Sequence, residues 1–148
     1  MFEHNYPTAS LTRRLAAMAY DGLVLLACYI FVGFILVGIS AAFHGGEPPG
    51  AFSAAANMSL MFCISFFYYS HSWRRGGQTI GMKAWRIRIV NENGDKPLQV
   101  SQCMLRTAVG FFSLLAAGLG FWWMLFDTRQ RTWHDIASVT RIVYIPYK

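Results

Sequence analysis

Arg13-Arg14-Leu15-Ala16-Ala17-Met18-Ala19-Tyr20-Asp21-Gly22-Leu23-Val24-Leu25-Leu26 opens a run, Leu15 to Trp73, that holds no lysine or arginine. Its acids are Asp21 and Glu47. Glu47 falls in the polar turn Gly45-Gly46-Glu47-Pro48-Pro49-Gly50, where water can reach it. Asp21 lies inside the apolar run. A carboxylate at the centre of a membrane helix costs roughly 2.5–3.5 kcal/mol on insertion scales. Something must offset that cost, so the partner of Asp21 is the first thing to find.

The rest of the composition sets the class. The 148 residues suit one domain; 55% are hydrophobic and only 14% charged, against about 25% charged in soluble domains. Uncharged blocks cover 22–46, 48–73 and 107–126, and a membrane-crossing helix needs about 20 apolar residues. The expected fold is an all-α integral membrane protein. Two firm transmembrane helices are expected at about 11–42 and 51–72, followed by a loop over 73–100. A third apolar segment, about 101–126, either spans or re-enters. The polar lead is 1–12, the membrane domain 13–145 and the tail 127–148.

A net charge of +6 would suggest nucleic acid in a soluble protein. Base-stacking modules need exposed aromatics among basic residues, whereas these aromatics sit in or at the ends of apolar segments, so no nucleic-acid partner is expected. Basic residues flanking spans instead mark the cytoplasmic side and attract anionic headgroups of the bilayer. Arg74, Arg75 and Lys83 are the candidate headgroup contacts. Cys28, Cys63 and Cys103 lie in or beside apolar segments in an odd number without CxxC, which speaks against disulfides and zinc. No metal and no cofactor is implied. The first apolar run lacks a small-residue cleavage site, so helix one is read as retained.

Loop one, 43–50, has no lysine or arginine, while 74–106 carries Arg74, Arg75, Lys83, Arg86, Arg88, Lys96 and Arg106. The positive-inside rule puts the N-terminus and loop two in the cytoplasm. Arg129, Arg131, Arg141 and Lys148 pull the tail to the same side, although a full third span would place it outside. Ala84–Val90 alternates basic and apolar residues, as a half-buried strand does, and Val139–Ile145 is β-branched and strand-like. These stretches can pair as a short cytoplasmic β-like element if segment three bends back near Gly118-Leu119-Gly120. That arrangement leaves the C-terminus cytoplasmic.

Arg14 and Asp21 are seven residues apart and share a helix face. Their Cα atoms are about 10.5 Å apart along the axis, too far for a direct pair. Arg14, at the interface, can snorkel to water. Asp21 cannot, so a group from another element, a cation or a water must lie between them.

Arg14-Leu15-Ala16-Ala17-Met18-Ala19-Tyr20-Asp21, the loop Gly77-Gln78-Thr79-Ile80-Gly81-Met82-Lys83 and the segment Thr132-Trp133-His134-Asp135-Ile136-Ala137-Ser138-Val139-Thr140 together resemble the RDD family of small bacterial membrane proteins. That family is named for an arginine and two aspartates. The resemblance carries them onto Arg14, Asp21 and Asp135, with Ser138-Val139 departing from the usual glycine before the threonine. It implies a multi-pass protein of the inner membrane, and for some members a sodium or other monovalent cation/proton antiporter. Under that reading Asp21 and Asp135 trade protons for cations while Arg14, held between the two acids, sets their charge. Two such acids and one arginine leave a net charge of −1, to be answered by a proton, a cation, or a base such as Arg131 or Arg141. No enzyme is expected under either reading, and under the alternative the chain is no transporter. It is a membrane accessory or scaffold in which these residues form a structural ion network, with a lipid, a second copy or a membrane protein as partner. His134 beside Asp135 is read as a packing residue before a proton relay.

Overall fold

The computed structural model describes residues 6–43, 54–94 and 96–146. The expected turn around Glu47, the first residues of the expected helix two, Asp95 and Lys148 lie outside them. Helix α1 is Leu11–Phe43 and α2 is Ala54–Gly76. Two short elements follow, α3 (Ile80–Ala84) and strand β1 (Ile87–Asn91). Helix α4 (Val100–Leu115) leads into α5 (Leu119–Trp122) and a 3-10 turn, Trp123–Leu125. The chain closes with α6 (Trp133–Ser138) and β2 (Thr140–Tyr144).

In α1 the buried residues are Arg14, Ala17, Asp21 and Leu25, at the three- and four-residue spacing of one helix face. Leu23, Phe31 and Phe34 point outward and are more than half exposed. The helix is therefore turned inside out relative to a soluble protein: its charges face protein and its large apolar groups face outward. An apolar surface of that extent calls for lipid or another protein against it.

Among the described residues α1 is the one helix long and apolar enough by itself to cross a membrane. The expectation of two firm spans is not met in that form. Asn57, Ser59, Ser65, Ser70, His71 and Ser72 dilute the hydropathy of α2, which ends in Arg74-Arg75. Those two arginines suit the negative end of the helix dipole. Helix α2 still packs antiparallel on α1, since the Tyr29 hydroxyl donates to the Met61 carbonyl at 2.6 Å and lies 2.7 Å from Ser65 Oγ.

Segment three bends. Helix α4 and the α5 turn meet at 106° and together are long and apolar enough to count as one broken or re-entrant span. The break is at Ala117 and Gly118, both with left-handed backbone, and the Gly118 N–H closes back on the Ser113 carbonyl at 2.7 Å. Gly120 then packs on Ser113 so closely that a Cβ would collide with its hydroxyl.

Strands β1 and β2 pair antiparallel, from Ile87 opposite Tyr144 to Asn91 opposite Thr140. The strand starts later than the alternation at 84–90 suggests, because Ala84 closes α3 and Arg86 takes a positive φ of 55°. The N-terminal lead adds to the same edge: Ala9 N–H donates to the Ile142 carbonyl at 3.0 Å and Tyr144 N–H to the Pro7 carbonyl at 2.9 Å. The lead, the end of α2, β1 and the tail thus gather at one end of the molecule. The core there includes Trp73, Met82, Ile87, Cys103 and Ile142.

Candidate functional site

Asp135 is the third residue of α6, and its Oδ2 accepts the Thr132 N–H at 3.2 Å, as an acid in a first helical turn does. The same oxygen accepts Arg14 at 2.5 Å, and Oδ1 accepts Arg106 at 2.5 Å. Both ion pairs are sealed, with side-chain exposures of 3% for each arginine and 0% for Asp135. Arg106 also donates to Thr140 Oγ1 at 2.6 Å and lies over the Trp73 ring. Arg14 donates through Nε to the Ala9 carbonyl at 3.1 Å, and through its other nitrogen to Gln130 and Ile142 carbonyls at 3.3 and 3.4 Å. One guanidinium thereby ties α1 to the lead, the tail loop, α6 and β2.

The expected order of charges is reversed. The structure holds one acid between two arginines, where the sequence suggested Arg14 between two acids. Arg14 does not snorkel; it is 4% exposed, because the tail folds over it and supplies three acceptors, with a fourth from the lead at Ala9. The base that completes the group is Arg106. Arg131 is engaged elsewhere, with Nε on Asp127 Oδ2 at 3.1 Å, and Arg141 sits on β2 opposite Val90.

Asp21 has its own set of partners. The Tyr68 hydroxyl donates to Oδ1 at 2.7 Å, the Gly81 N–H donates to Oδ1 at 2.9 Å, and the Thr79 hydroxyl donates to Oδ2 at 2.5 Å. Thr79 Oγ1 meanwhile accepts the Met82 N–H at 3.1 Å as the N-cap of α3, so its single proton is directed at Asp21. Asp21 and Arg14 are therefore each satisfied by separate protein groups. Helix α3 lies against α1 so tightly that a Cβ on Gly81 would clash with the Ala17 carbonyl. The rest of the loop serves the same placement. Gly77 has φ 65° and touches β1, and Gln78 Nε2 donates to the Ile87 carbonyl at 2.9 Å.

Tyr68, Thr79, Gly81 and Arg106 are the residues the sequence reading missed. Nothing local marks Tyr68, Thr79 or Gly81 as a donor to Asp21, which lies 47, 58 and 60 positions away. Arg106 carried a usable signal: a lone base just inside an apolar segment needs a partner for the same reason Asp21 does. Of the expected headgroup contacts, Arg74 and Arg75 end α2, and Lys83 projects exposed from α3.

Between the two charged clusters lies a cavity of about 140 Å³, bounded by Asp21, Arg14, Arg106, His134, Ser65 and apolar side chains of α1, α2 and α4. Burial opposes charge on Asp135, but the charges of Arg106 and Arg14 and the Thr132 N–H outweigh it, holding its carboxyl well below the ordinary range. The His134 ring packs against Phe121, tilted by 59° with the centroids 4.9 Å apart. Burial first, then the charge of Arg106, pushes its pKa down to about 3. A neutral, buried ring is poorly suited to relay protons near neutrality, which agrees with the packing reading.

The depressed His134 pKa sets a pH dependence. Between the ordinary value of 6.5 and about 3, only the unfolded chain takes up this proton, so stability falls as pH falls through that window. Asp135 adds its own loss only below the ordinary carboxylate value of 3.8. Thermal unfolding in detergent is expected to show about 2 kcal/mol less stability at pH 5 than at pH 7.5 from this group. His134→Gln, neutral in both states, should remove that part of the slope.

No curated protein and no solved structure matches this chain. The RDD family model matches residues 8–139, a span that contains Arg14, Asp21 and Asp135 and, with the outward-facing apolar α1, points to a membrane protein. The chain belongs to the RDD family.

Proposed function

We propose that this chain is a non-catalytic, multi-pass protein of the bacterial inner membrane that serves as an accessory or scaffold, its Arg14–Asp135–Arg106 group acting as a structural clamp. One observation carries the reading: both oxygens of Asp135 are occupied by arginines in a sealed site. A carboxylate so held is a poor exchanger of protons for cations. The clamp joins the tail to α1 and α4, so the lead, loop two and the tail form one rigid basic end. All 13 lysines and arginines lie outside Leu15–Trp73. The positive-inside rule then orients this end, with both termini, toward the cytoplasm and its anionic headgroups. Helices α1 and α2 make the spanning hairpin in this reading, and the bent α4–α5 segment re-enters.

A cation/proton antiport role keeps one supporting observation, that Asp21 borders the cavity between α1, α2 and α4. The two readings separate in liposomes loaded with a pH-sensitive dye. The accessory reading expects no proton flux on imposing a sodium or potassium gradient. Saturable flux that disappears in Asp21→Asn, with the variant still folded, would establish antiport and overturn the accessory role.

A further inference from the structure

At the same end, on the other side of Trp73, the last turn of α2 and strand β1 enclose a second cleft of about 370 Å³. Among the described residues its charged lining is wholly basic: Arg74 and Arg75 from α2, Arg88 from β1 and Lys96 from the turn beyond. Arg74, Arg75 and Lys96 are exposed, and no ion pair with another described residue holds them. The negative end of the α2 dipole is worth about half a charge, well short of cancelling Arg74, Arg75 and Lys96. Trp73 borders the cleft at 8% exposure, and its indole N–H has no hydrogen-bond partner among the described residues. A buried donor left unmatched within a protein is uncommon. The volume equals the share of about twelve waters, room for a phosphate and an ester arm.

We propose that this cleft binds the phosphate of a phosphate ester, with Arg74 and Arg75 forking onto its oxygens and Lys96 closing over it. Several cations on one concave wall are what such an anion requires. The headgroup of an anionic phospholipid and a soluble phosphate ester share this chemistry. Basic pockets beside membrane helices on the cytoplasmic side favour the first source. Lys83, an expected headgroup contact, does not border the cleft. The site deepens the headgroup-facing part of the proposed function but uses no residue of the clamp.

The test uses the full chain in phosphatidylcholine nanodiscs, titrated by calorimetry with short-chain phosphatidylglycerol and, separately, with glycerol 3-phosphate and inorganic phosphate. Arg75→Gln/Lys96→Gln removes two cleft charges; Lys83→Gln/Arg129→Gln removes two elsewhere. The first variant should weaken binding about tenfold or more and the second less than about twofold, with unfolding midpoints unchanged. Binding of phosphatidylglycerol alone assigns the site to lipid. Competition by the soluble phosphates assigns it to free ester or phosphate. Equal weakening by both variants would mean general surface attraction and overturn the site, as would no binding of any probe to the unaltered chain. Sodium-driven flux, which would sink the accessory reading, leaves this comparison unaffected.

Discussion

Asp135→Asn is expected to destabilise the folded chain by about 3–5 kcal/mol, the usual result of removing one partner from a buried ion group. Arg14 and Arg106 are 4% and 3% exposed, and without the carboxylate they face each other uncompensated in a site with little water. The amide keeps the shape, so the loss reports charge rather than a cavity. Denaturant titration of the detergent-solubilised protein, followed by tryptophan emission, measures it. Arg106→Met added to Asp135→Asn should recover part of the loss, because it removes one of the stranded charges. Coupling between contacting residues of this kind runs about 0.5–3 kcal/mol. A variant as stable as the parent would refute the clamp.

Asp21→Ala should cost about 3 kcal/mol, from leaving the Thr79 hydroxyl and the Gly81 N–H without an acceptor at about 1–3 kcal/mol per group. Thr79 is 1% exposed and Gly81 is buried, so water cannot replace the lost bonds without opening α3. The same substitution removes the insertion cost of a membrane carboxylate. Membrane insertion is thus expected to be unimpaired while the folded state weakens. Release of α3 gives a local readout: trypsin should cut after Lys83 faster in the variant than in the parent, since local opening governs cleavage. Unchanged cleavage and stability would mean that the three donors do not depend on Asp21.

Both effects trace to charges whose need was visible in the chain and whose partners were not. Asp21 stood out because an acid in an apolar run is expensive wherever the helix goes. Its donors lie at positions 68, 79 and 81, and the latter two reach it because Gly81 lets α3 touch the Ala17 backbone. Asp135 was recognisable through the motif around it, and Arg106 as a lone base inside an apolar segment, yet nothing local showed that the two are partners. The bend of segment three was legible in Gly118, whereas the turn itself also needed Ala117 in a left-handed conformation. The weakness of α2 as a span lay in its serines and Asn57, which a count of uncharged residues passes over.

Sequence alone determined the long apolar helix, the basic character of the regions flanking it, the two strand-like stretches and the residues most in need of partners. These follow from side-chain transfer energies and backbone preferences, which add up residue by residue along the chain. Tertiary structure decided that one acid lies between two arginines, that neutral donors receive the other acid, and that the lead joins the tail in one sheet edge. Arg14 and Asp135 meet across 121 positions. An ion pair depends on distance and on exclusion of water, and only the packed fold supplies both.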